Sequence, residues 1–164
     1  MTTWKTALGE GAVAGTVATL LSTALLAVIG RRESASAVAP VNAVSHWLWG
    51  DESLHADDAD LRHTATGFLT HHLAAVFWAS LYSWLHGHRA EAKSPVQAAA
   101  GGIATSAVAY VVDYHVVPKR LTPGWEHRMA PRSLAATYGS LAVGFALGAL
   151  LLGALERRPS PTRF

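Results

Sequence analysis

Cysteine is absent from the 164 residues, and charge is scarce: only 15% of positions are Asp, Glu, Lys or Arg, against roughly 25% in an average soluble domain. Without cysteine there is no disulfide framework, zinc finger, iron–sulfur cluster or thiol nucleophile. So little charge argues against a disordered chain and against a soluble nucleic-acid binder. The net charge of +2 is too small to imply a polyanionic partner. Catalytic motifs are missing as well: there is no nucleophile–base pair, phosphate-binding glycine loop or zincin motif. The reading leans away from an enzyme, the conceivable exception being acid–base work by His71 and Asp113 inside a membrane.

What is present is apolar. Hydrophobic residues make up 51% of the chain, with 14 glycines, 6 tryptophans and 9 histidines, and the mean hydropathy is positive. Four stretches pass the length test for a transmembrane helix, about 20 apolar residues. They cover about 6–29, 61–86, 95–117 and 131–155. The expected fold is therefore all-α: a single membrane domain over 1–164, built as a four-transmembrane-helix bundle. Asp57, Asp58 or Asp60 can cap the second span, and Ser94 with Pro95 reads as cap and first turn of the third. Gly30 and Gly87 are expected to close the first and second, and Pro118 the third. Trp4, Tyr82 and Trp84 near one face, and Trp47, Trp49, Tyr110, Tyr114 and Trp125 near the other, follow the aromatic-belt pattern. Ala35 and Ala37 form an A-x-A pattern, but the apolar run before them is longer than a signal peptide's and is followed by Arg31, Arg32 and Glu33. An uncleaved helix is expected.

Four spans put both termini on one side, here side A, with the loop 88–94. Side B holds the loops 31–60 and 119–130. Side A carries Lys5, Arg89, Lys93, Arg157, Arg158 and Arg163; side B carries Arg31, Arg32, Arg62, Lys119, Arg120, Arg128 and Arg132. The balance leaves the positive-inside rule undecided. The expectation adopted is a bacterial inner membrane with cytoplasmic termini. In the first loop, Val41, Val44 and Leu48 share a helical face beside Trp47 and Trp49. This reads as a short interfacial helix, or as a loop helix packed back on the bundle.

Small residues mark where helices approach in lipid. Gly11 and Gly15, Ala98 and Gly102, and Gly144 and Gly148 each stand four apart. The faces they define carry polar groups, and a rise of 1.5 Å per residue adds depth. Asp113 falls about 10 Å, His71 about 4–5 Å and His63 about 16 Å from the midplane towards side B. A polar pocket is expected there from His63, Thr70, His71, Ser106, Asp113, Ser133 and Thr137. Glu10 falls in the opposite half. An ionisable group in a membrane is a functional-site hypothesis by default. The structural alternative is that Asp113 pairs with His71, His63 or Arg132 and only fixes helix register. His72 points about 100° away from His71, towards a neighbouring helix or subunit.

His63, His71 and Asp113 have ligand chemistry suited to a metal, although the spacing fits no defined metal motif. A bis-histidine haem lacks two imidazoles at matched depth. After the third span, the run from Asp113 to Glu126 ends the helix at Pro118 and puts Lys119 and Arg120 at headgroup level, where they can bind lipid phosphate. This run, with the histidine-bearing second span, resembles small uncharacterised multipass membrane proteins of bacteria. The resemblance covers mainly spans two and three and implies no activity. Three functions remain open: a non-enzymatic accessory or ligand- or lipid-binding bundle, a histidine-based metal or haem redox protein, and an oligomeric proton-coupled transporter or channel. The expected partners are the bilayer and a homo-oligomer or larger membrane complex, and no nucleic acid.

Overall fold

The computed structural model of the chain describes residues 3–157; Arg158 and Arg163, assigned above to side A, lie outside them. The described residues form six α-helices and no strand: α1 (Trp4–Glu33), α2 (Ala39–Val44), α3 (His46–Trp49), α4 (Thr66–Tyr82), α5 (Pro95–Val111) and α6 (Pro131–Glu156). Three stretches are long and apolar enough to cross a membrane: Trp4–Glu33, Pro95–Val116 and Pro131–Glu156. The second expected span is helical throughout but not α-helical throughout. Its α-helical part, α4, has 17 residues, and π turns at Leu61–Ala65 and Ser83–Gly87 extend it at both ends.

Local chemistry explains most boundaries. Asp60 opens the second run by accepting the His63 backbone N–H at 2.5 Å, as an N-cap carboxylate does. That N–H, with the His63 ring, holds the Asp60 carboxyl below its ordinary pKa. Proline stands at the first turn of α5 and of α6, where its missing N–H costs nothing. Val117, before Pro118, is extended, as sterics require. Gly30 does not close the first helix; α1 runs on to Glu33. A Cβ at Gly30 would lie 2.4 Å from the Ser36 carbonyl oxygen, so this glycine admits the returning loop.

The helices are arranged around α1 and α6. α1 packs extensively on α4 and α6, and α6 on α5, while α4 and α5 touch little. The expected small-residue motifs make the close approaches. A Cβ at Gly15 would sit 2.6 Å from the Val76 Cα, one at Gly144 2.3 Å from the Ala18 Cα, and one at Gly148 2.4 Å from the Ala14 Cα. Only hydrogen fits there, and backbone dispersion contacts take the place of side chains. Between α4 and α5 the spacer is an aromatic ring: a Cβ at Gly101 would meet the Tyr82 hydroxyl at 2.1 Å. The outer surface exposes Leu20, Leu73, Phe77, Ile103 and Val143, whereas Thr19, Ser22, Ser106 and Thr137 are buried.

Side B is closed by a cap. The expected loop helix is split in two, and all six residues of α2 are buried. It packs back on the bundle, with a Cβ at Gly67 only 2.0 Å from the Val41 carbonyl oxygen; an interfacial placement does not suit α2. Asn42 pins the loop by donating to Ala56 O and Asp58 O at 3.0 and 2.9 Å and accepting from Thr64 at 2.7 Å. The third loop joins the cap. Trp47 donates to Thr122 O at 2.8 Å, and Arg128 reaches Asp57 at 2.6 Å. Trp125, expected in the aromatic belt, lies under this cap and is 2% exposed.

Candidate functional site

Beneath the cap, α4, α5 and α6 leave a cavity of about 40 Å3. α4 contributes Thr70 and His71. Asp113 comes from the π turn Val112–Val116 that ends the third long helix, Tyr138 and Phe145 from α6, and Trp125 from the third loop. The Tyr138 hydroxyl donates to Asp113 Oδ2 at 2.6 Å. Ser22 Oγ lies 3.1 Å from Thr19 O and 2.8 Å from His71 Nε2, and its single proton can go to either. Trp125 packs edge-on against His71 and Tyr138, with centroid separations of 5.3 and 5.8 Å. Its Nε1–H is buried and has no hydrogen-bond partner among the described residues.

The structure brings together three of the seven expected pocket residues: Thr70, His71 and Asp113 line the cavity. The other four serve elsewhere. His63 Nδ1 is 2.8 Å from Asp60 Oδ2. Ser106 donates to Tyr138 O at 2.5 Å, and Ser133 to Glu33 at 2.7 Å. Thr137 returns its proton to Ser133 O at 3.0 Å. The partner of Asp113 is Tyr138 rather than His71, His63 or Arg132. The ligand set His63, His71 and Asp113 is not assembled: His63 is held by the cap, and the described residues contain no group of three or more His, Asp or Glu placed to hold a metal ion. His72 faces α1, with Nδ1 3.2 Å from Thr19 Oγ1. Lys119 and Arg120 lie exposed on a 3-10 turn, Arg120 reaching Trp47 O at 3.4 Å.

Sequence reasoning missed Trp125 and Tyr138. The signal for Tyr138 was available: Tyr138, Leu141 and Phe145 fall at i, i+3 and i+7, one helical face. Trp125 gave none, because a loop tryptophan beside a span reads as an interface anchor.

The opposite end holds a second polar cluster. Lys93, 3% exposed, donates to Glu10 at 2.7 Å and to Glu156. Ser83 donates to the other Glu10 oxygen. Burial pushes the Lys93 pKa down, but the two carboxylates outweigh it and hold the ammonium above its ordinary value. A cavity of about 20 Å3 adjoins this cluster. On the outer side of the α4–α5 seam runs a groove of about 140 Å3 along Trp78, Leu81, Leu85 and Val108. Trp78 borders both this groove and the larger cavity.

Comparison with protein-family models, curated proteins and solved structures finds no match.

Proposed function

We propose that the chain is a four-span integral membrane protein that works by binding, holding an amphipathic molecule in the cavity under the side B cap. The fourth crossing is the helical run Leu61–Gly87. Its two π turns carry α4 to a length of 27 residues in all, about 40 Å at the helical rise. Exposed Phe68, Leu69, Leu73 and Phe77 give it an outer face suited to lipid. The molecule's polar head meets Asp113, His71 and Trp125 Nε1–H. Its apolar tail leaves past Trp78 into the groove between α4 and α5.

The observation that carries this reading is the Trp125 indole N–H, 2% exposed and unpartnered among the described residues at a cavity wall. Burying such a donor without an acceptor costs about 1–3 kcal/mol, so an acceptor in the cavity stabilises the bound form. The cavity, about 40 Å3, takes a small polar head. The test is mass spectrometry of what co-purifies in mild detergent. Wild type should retain a stoichiometric amphipathic molecule that Trp125→Phe and Asp113→Asn lose while keeping their helix content. Equal recovery from all three would refute the reading.

A further inference from the structure

The two cavities lie along one seam, in register. On the helical run Leu61–Gly87 the seam goes from His71 and Ala75 beside the upper cavity to Ala79 and Ser83 beside the lower. On α6 it runs from Tyr138 and Leu141 to Ala149 and Leu152. Phe145, near the middle of α6, borders both cavities and is buried. Each cavity carries one carboxylate, Asp113 above and Glu10 below. Two mainly apolar cavities, each with one carboxylate on its wall and both bordered by the Phe145 ring at mid-helix, have the form of a hydrophobic constriction, which blocks passage by excluding water.

The charges at the lower cavity suit a group that gains and loses a proton. Lys93 has two carboxylate partners, buried Glu10 and half-exposed Glu156. When Glu10 is protonated, Lys93 stays paired with Glu156, so no buried charge is left alone, the condition that makes broken buried pairs costly. Ser83 can turn its hydroxyl to keep a hydrogen bond with the neutral acid. At the upper cavity, Asp113 keeps the Tyr138 hydroxyl in either state and has its second oxygen for the proton. With the amphipathic molecule absent, the unpartnered Trp125 N–H leaves the upper cavity a place for water.

We propose that the seam is a proton path closed by Phe145, with Asp113 and Glu10 as the proton-carrying groups on either side. When the ring swings aside, the Asp113 O–H bond breaks, water carries the proton through the opening, and an O–H bond forms on Glu10. Release to side A restores the Glu10–Lys93 pair, and water admitted from side B when the cap loosens returns a proton to Asp113. Nothing is oxidised or reduced. The path rests on the four-span reading above, so insertion is measured separately, by flotation with liposomes after alkaline extraction.

The full chain is reconstituted with a pH-sensitive dye inside, and a potassium gradient with valinomycin drives proton entry. Phe145→Ala should raise entry on the order of tenfold over wild type by widening the constriction, with Phe145→Val giving a smaller rise. Adding Asp113→Asn or Glu10→Gln to Phe145→Ala should return entry to the wild-type level. Both substitutions keep hydrogen-bonding shape, and Lys93 retains Glu156, so folding is expected to survive. Inserted Phe145→Ala and Phe145→Val proteins with wild-type proton entry would overturn the proposal. So would a leak that persists without both carboxylates, or one that passes sodium equally.

Discussion

The two ends of the bundle treat buried polar groups in opposite ways. Around Lys93 every charge has a partner: two carboxylates on one ammonium, and a serine on the remaining Glu10 oxygen. Around Asp113 the pairing is incomplete. Tyr138 serves one carboxylate oxygen, His71 uses one nitrogen, and Trp125 Nε1 has no partner among the described residues. A completed network ties elements together, here α1, α6 and the loop 88–94. An incomplete one beside a cavity has hydrogen bonds left over, which the proposed function gives to a bound molecule. On that proposal, stability and binding lie at different ends of the bundle.

The largest expected effect breaks the completed end. Lys93→Met leaves Glu10 buried without its cation and should cost about 3–5 kcal/mol, read as a lower melting temperature in detergent. Adding Glu10→Gln should recover much of the loss; no recovery would mean that Lys93 acts through packing alone. A smaller loss, about 1–3 kcal/mol, is expected from Gly144→Val, because its first side-chain atom would meet the Ala18 backbone. If Gly144→Val melts with wild type, α1 and α6 are not in backbone contact.

At the incomplete end the effect is smaller. Trp125→Phe removes a donor without an acceptor, which offsets part of the packing lost with the smaller ring, so in protein stripped of bound molecules the net loss should stay within about 1 kcal/mol. The smallest effect is one of pH. The Lys93 pKa is raised in the folded protein, so the stability it lends is complete below the ordinary lysine pKa, about 10.4. That stability is lost only as pH rises through the raised value. Melting temperature should show no Lys93-dependent fall between pH 7 and 10, measured as the difference between wild type and Lys93→Met; a difference that shrinks by pH 9 would contradict the ion-pair account.

Much of the helical layout was legible because it rests on local rules. The stretches at 61–86, 95–117 and 131–155 match the helical runs to within a residue or two, since Asp60, Pro95, Pro118 and Pro131 act on their own neighbours. The glycine pairs were legible for the same reason: spacing of four marks a face whatever it meets. The site was less legible because it is made by long-range contacts. Periodicity and depth brought His71 and Asp113 to one region, yet the residue that binds Asp113 comes from α6, and the most informative one, Trp125, is delivered by a loop folded back under the cap. Lys93 was read as a loop charge for a similar reason. It turns inward to a glutamate 83 positions away, which no local pattern signals.

The contrast between the two ends is tested most directly by the melting temperature of molecule-stripped Trp125→Phe, taken beside Lys93→Met in the same detergent. The account predicts that Trp125→Phe melts close to wild type while Lys93→Met melts well below it. A Trp125→Phe loss as large as that of Lys93→Met would contradict it, because the indole would then be holding the fold rather than waiting for a ligand.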